Sequence, residues 1–252
     1  MYAGTTGVSV RPRARGAVLT HRASRTHRRI DTIGSQVQRL EGRQIDSDPQ
    51  LMDESHRLRY QVYCVERGFL NPDDYPDRRE HDEYDRHSLH LGVVDAKGSL
   101  LATARLVKVS VSGLPLFRHC RIFASETELY RETNRVVEVS RLCVSRQLRQ
   151  DRSDRRSIVT MLYRALFQAS KQNDFTHWLV ATERSLQRLV TDFGFPFRAV
   201  GPFSDYCGEV APYLMDLHEF EQIIQSRTRP ALASFLDSLE SQFGPSSRPE
   251  GV

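Results

Sequence analysis

Hydrophobic positions along this chain change period several times, and each change predicts an element. In QLMDESHRLRYQVYCVERG, residues 50–68, Leu51, Leu58, Val62 and Val65 recur at the spacing of one helical face, with Tyr63 alongside. Gly68 predicts the end of that helix. Residues 69–87, FLNPDDYPDRREHDEYDRH, have no period and read as a polar loop with a dense acidic cluster. SLHLGVVDA and SLLATARLVKVS read as two strands, joined in a hairpin that turns at Lys97-Gly98. Residues 112–134 read as irregular, with a short helix near Ser125 to Glu132, and RVVEVSRLCVS, Arg135 to Ser145, is a third strand. An amphipathic helix is expected from about Ser157, then the strand THWLVATE, then the helix RSLQRLVTDFG closed by Gly194. FPFRAVG and GEVAPYLMDL are further strands, and HEFEQIIQS and RPALASFLDSLESQF are terminal helices. A hairpin followed by alternating helices and strands predicts one domain with a mixed α/β sheet flanked by helices.

The third strand breaks its own pattern. Val136, Val137, Val139, Leu142, Cys143 and Val144 mark it as buried, yet Glu138 and Arg141 lie inside it. An unpaired buried charge is strongly unfavourable, so each must be paired or serve chemistry. Being an odd number of residues apart, the two would face opposite sides of a regular strand, unless a bulge separates them. A bulge around Val139 to Leu142 would bring the two together.

Composition narrows the classes. Apolar residues at 39% and aromatics at 9% suit a globular core, and no apolar run approaches the length of a membrane-spanning helix. The net charge of +4 arises largely at the start, where residues 1–30 hold Arg11, Arg13, Arg15, Arg22, Arg25, Arg28 and Arg29 and no acid. From Asp31 onward the chain is close to neutral, so its charge does not call for a nucleic-acid partner. Residues 1–33 read as a disordered basic tail; an organelle transit peptide and an over-extended gene start are the alternatives. A domain over 34–228, a helix over 229–243 and a disordered tail over 244–252 complete the expected organisation. Cys64, Cys120, Cys143 and Cys207 form no C-x-x-C pair, so no metal site or disulfide framework is expected, and a reducing cytoplasm fits.

Four motifs run in order across the domain: RLRYQVYCVERGF with Arg59 and Tyr63, EHDEYDRHS with Asp82 and Asp85, ATARL with Arg105, and VEVSRLCV with Glu138 and Arg141. In this the chain resembles N-acyltransferases of the GNAT superfamily. Within it the chain more closely resembles the acyl-homoserine-lactone autoinducer synthases and N-acyl amino acid synthases, and most of all the acyltransferases associated with the exosortase (PEP-CTERM) sorting system. The resemblance implies a GNAT-like fold and transfer of a fatty acyl group from a thioester to the amine of an amino acid or similar small molecule. It also implies a bulged central strand whose freed backbone N–H groups receive the thioester carbonyl.

An attacking amine must be neutral, and a carboxylate raised in pKa by an apolar setting is suited to accept its proton. Glu138, as the base or amine-orienting group, and Arg141 are the expected catalytic residues. Asp82 and Asp85 are expected to hold the amine, with Arg59, Arg105, Arg141, Tyr63 and Ser140 shaping the pocket. A structural alternative is a buried pair of Glu138 with Arg141, completed by Arg59 or Arg105. His90 is expected to be a packed histidine, and His87 is a weaker alternative base. For the donor, Val144 and the basic loop with Arg146, Arg149 and Arg152 precede a helix start, a natural phosphate site. The superfamily's spaced glycines are absent from this loop. That departure favours acyl carrier protein over coenzyme A, with no tightly bound cofactor and no metal. The competing functions are an acetyl-CoA-dependent acetyltransferase and a non-catalytic sensor of acyl groups or acyl carrier protein.

Overall fold

The computed structural model describes residues 40–123, 135–146, 152–192, 194–206 and 208–226, the side chains of 152–155 and 189 excepted. The expected tails, the helix near Ser125 to Glu132, the helix over 229–243, Arg149 and Cys207 lie outside the described residues.

Among the described residues eight strands form one sheet: β1 (Glu41–Gln44), β2 (Ser88–Val94), β3 (Leu100–Lys108), β4 (Val136–Val144), β5 (His177–Glu183), β6 (Arg198–Ala199), β7 (Ser204–Asp205) and β8 (Glu209–Asp216). Their order is β1-β2-β3-β4-β5-β8-β6, with β7 also on β8. Every pairing is antiparallel except β4 with β5, whose crossover runs through the long helix α3 (Arg152–Gln172). The other α-helices among the described residues are α1 (Pro49–Tyr60), α2 (Pro115–His119), α4 (Arg184–Asp192) and α5 (Leu217–Gln225). This is the mixed sheet flanked by helices that the sequence predicts. It adds β1, β7 and α2, which are too short to leave a periodic signal, and α3 begins before Ser157.

Strand alternation distributes the core over both faces. Val137 and Val139 pack with Leu106, Leu162, Leu166 and Trp178 on the α3 side. Val136 and Leu179 pack with Val107, Leu114 and Leu116 on the α2 side. Glu138 shares the second face with Val136, one residue pair along.

Helix α1 starts where Asp48 caps it, its carboxylate accepting from Leu51 N–H at 3.2 Å, with Pro49 in the first turn. Its buried positions are Leu51, Ser55 and Arg59. The chain then continues as a π-helical turn, Gln61–Glu66, in which the next buried residue is Cys64, five positions on. That wider turn rotates the buried face, leaving Val65, expected inside, 54% exposed. Gly68 ends the helical run at φ 61°, as its conformational freedom predicts.

Candidate active site

Beyond one point the two parallel strands part. β4 and β5 pair at Val136–His177, Val137–Trp178 and Glu138–Leu179, and at no later position. Both strands continue, so the β4 edge that faces β5 has no strand partner after Glu138. A cavity of about 480 Å³ opens in this wedge. Its walls include Tyr63, Arg67, Phe69, Glu138 and Ser140 to Val144, with Ala181, Glu183 and Tyr206 opposite.

The expected bulge is present in β4. Thr103 faces Cys143 and Arg105 faces Ser140, so two steps along β3 correspond to three along β4. Arg141 absorbs the extra residue with φ 53°, a left-handed conformation unusual for a branched-free but Cβ-bearing side chain. The strain has a local compensation: the Arg141 guanidinium is directed onto Glu80, at 3.0–3.1 Å, and onto Asp82 at 3.1 Å.

Glu80 and Asp82 belong to a larger buried network. Arg59 donates to Glu80 at 2.5 Å and to Asp85 at 2.7 and 3.1 Å. Arg105 grips Asp82 through two nitrogens at 2.6 and 2.7 Å, donates to Asp85 at 2.6 Å, and reaches Ser140 Oγ at 3.1 Å. His90 lies between Asp46 at 2.8 Å and Asp85 at 3.0 Å. Burial works against the charge of Asp85, but His90, Arg59 and Arg105 outweigh it and hold the carboxyl well below the usual range. Glu80 and Asp82 are likewise lowered against the effect of burial, by Arg59 and Arg141 for the first and mainly by Arg105 for the second. For His90, burial disfavours protonation, and the carboxylates of Asp46 and Asp85 more than reverse it.

These contacts revise part of the expected division of labour. Asp82 and Asp85 are already engaged by guanidinium groups and direct no described contact into the cavity. They hold Arg59, Arg105 and Arg141 in place instead of presenting free carboxylates to an amine. The expected pairing of Glu138 with Arg141 is not formed; Arg141 takes Glu80 and Asp82. Glu80 was missed from sequence. Charge counting did not find it, because Glu138 already stood as the third carboxylate and Glu80 and Glu83 both lie in the same acidic motif.

Glu138 stands apart from the network. It is 4% exposed, and its carboxylate accepts the backbone N–H of Leu116, the second residue of α2, at 2.8 Å. Burial pushes its pKa up to about 7, with the Leu116 N–H, Arg105 and Arg141 opposing only in part. Tyr63 lies beneath Arg141, the guanidinium carbon 5.1 Å from its ring centre, and burial raises its phenol. Ser140 and Val144 line the cavity, and Arg146 is exposed just beyond β4. Of Arg152 only its backbone place at the start of α3 is described. Cys64, Cys120 and Cys143 are buried free thiols, and burial followed by Glu138 pushes Cys120 up to about 11. His87 is half-buried beside Arg86 and makes no described contact with the cavity. Among the described residues no cluster of metal-ligating side chains occurs, and no helix is long and apolar enough to cross a membrane.

Residues 58–159 match the family model of the acetyltransferase (GNAT) domain. A sequence search finds no match among curated proteins. Among solved structures, the chain is similar to FeeM, an N-acyl amino acid synthase from uncultured soil microbes, with 15% identity and a TM-score of 0.58 over 75% of this chain and 96% of that one. It is also similar to BjaI, a CoA-dependent acyl-homoserine lactone synthase, with 15% identity and a TM-score of 0.56 over 80% and 89%. MesI, a second CoA-dependent acyl-homoserine lactone synthase, aligns at 15% identity and 0.55 over 79% and 94%. At these identities the likeness establishes the fold.

Proposed function

From residues 58–159, which match the GNAT acetyltransferase domain model, we propose N-acyl transfer from an acyl thioester to the amine of an amino acid or similar small molecule, with Glu138 as the base. The observation that carries this is the setting of Glu138: a buried carboxyl raised to about 7, in the wall of the cavity where β4 and β5 part. A group with that pKa is ionised in useful amounts near neutral pH and still basic enough to take a proton from an amine.

The thioester lies in the wedge, its carbonyl against the β4 backbone after Glu138, where N–H groups without a strand partner are suited to a developing oxyanion. The amine nitrogen attacks the carbonyl carbon and Glu138 accepts its proton. The tetrahedral intermediate then expels the thiolate, which is reprotonated as a thiol, and the amide remains. Arg141 and Tyr63 shape the cavity, and the Arg59–Arg105–Asp82–Asp85 network fixes the bulged strand that carries Glu138.

The proposed donor is acyl carrier protein, which the glycine-free basic loop after Val144 favours. Acyl-CoA is the second donor, because two of the structural neighbours are CoA-dependent. The motif resemblance supports a role in an exosortase-associated pathway. Mass spectrometry of products formed from acyl carrier protein and from CoA thioesters, each with pooled amino acids, tests the reaction. An N-acyl product lost in a folded Glu138→Gln variant is expected. Absence of product with both donors sinks the proposal.

A further inference from the structure

The mouth of the cavity carries a charged pair that the catalytic scheme does not use. Arg67, just past the π-helical turn, donates to Glu183 Oε1 at the end of β5. Both side chains are partly exposed, at 44% and 37%, and both line the cavity. The Arg67 guanidinium carbon lies over the Phe69 ring, 4.7 Å from its centre. Phe69 and Glu183 both lie against Gly208, each 3.7 Å from where a Cβ there would stand. Period-two alternation puts Glu183 on the same sheet face as Ala181 and Leu179, and Leu179 is the register partner of Glu138. The pair therefore opens into the cavity from the face on which Glu138 lies.

A half-exposed ion pair of this kind contributes little to stability, so exchange of one partner for another is easy. A guanidinium is planar and presents paired donors that match a carboxylate, and one held over an aromatic ring loses less freedom on binding it. We infer that Arg67 recognises the α-carboxylate of a free amino acid, and that Glu183 occupies this place until the amino acid displaces it. The amino acid so held directs its amine inward, toward Glu138. This inference rests on the acyl-transfer reading for its consequence in turnover, but binding at Arg67 is testable without turnover.

The experiment is calorimetric titration of the full-length protein with a panel of free amino acids, each compared with its α-amide and its decarboxylated amine. Arg67→Gln and Glu183→Gln variants, checked for fold by circular dichroism, are titrated in parallel. Loss of a charge-assisted contact predicts a Kd for the bound amino acid raised about tenfold or more in Arg67→Gln. In Glu183→Gln the competing carboxylate is gone, and the same Kd falls. The amide and the amine bind weakly to all three proteins. Equal binding of acid and amide, an unchanged Kd in Arg67→Gln, or a weaker Kd in Glu183→Gln overturns the inference, as does no amino-acid binding by the parent. The acyl-transfer reading is judged separately: product without such binding leaves it standing, and binding without product removes it while the carboxylate site remains.

Discussion

Glu80 and Glu138 are the same side chain at nearly the same burial, 0% and 4% exposed, and their acidities are displaced in opposite directions. Glu80 receives the guanidinium groups of Arg59 and Arg141 and is held below the usual carboxylate range. Glu138 receives one backbone N–H and is raised to about 7. Removal from water disfavours the charge in both places; what differs is whether fixed positive charge replaces the lost hydration. The first arrangement is a locked structural charge. The second leaves a proton that can move, as a base requires.

Removing a partner from the locked region should have the largest effect on the fold. Glu80→Gln keeps the shape but leaves Arg59 and Arg141 short of a negative charge, and the expected loss is roughly 3–5 kcal/mol in denaturant unfolding. If the loss is small, the network is not what positions the bulge. Glu138→Gln should do the reverse. The N–H of Leu116 still has an oxygen to bond, so the unfolding midpoint changes little at pH 5, while acyl transfer slows by about 10²-fold or more. A variant that loses both together would erase the distinction between the two glutamates.

The pH dependence sharpens the same contrast. Glu138 has a raised folded-state pKa, so it contributes stability that is present below about pH 4.5 and lost as pH rises through about 7. By that shift the loss is roughly 3 kcal/mol, and Glu138→Gln should abolish it. Glu80, Asp82 and Asp85 are depressed, so their contribution is present above the ordinary carboxylate range and lost as pH falls through and below it. Unfolding followed from pH 3 to 9 should therefore show an acid limb in both proteins and the decline toward pH 7 only in the parent. Acyl transfer should rise with pH through the interval in which stability falls, because the base must be ionised. The smallest effect is expected at the surface. Arg118 meets Glu83 at 2.6 Å with both side chains half exposed, and Arg118→Ala should leave the unfolding midpoint unchanged within error.

The sequence by itself determined the order of the long elements and the hairpin at Gly98. These follow from local terms, hydrophobic period and glycine conformations; the bulge in β4 was implied by the family resemblance, with strand parity only consistent with it. The family resemblance of the motifs, not their spacing, placed Arg59, Arg105, Asp82, Asp85 and Arg141 around one pocket. Which charge meets which was decided only in three dimensions. Asp82 and Asp85 are spent on arginines from α1, β3 and β4, Glu80 completes the balance, and Glu138 is left to the N–H of a five-residue helix with no periodic signature. Arg67 and Glu183, which lie 116 positions apart, meet only because β4 and β5 part and bring the end of α1's helical run over the end of β5. Partner choice among charges depends on distances of a few ångströms between segments remote in sequence, and residue type and spacing carry no record of those distances.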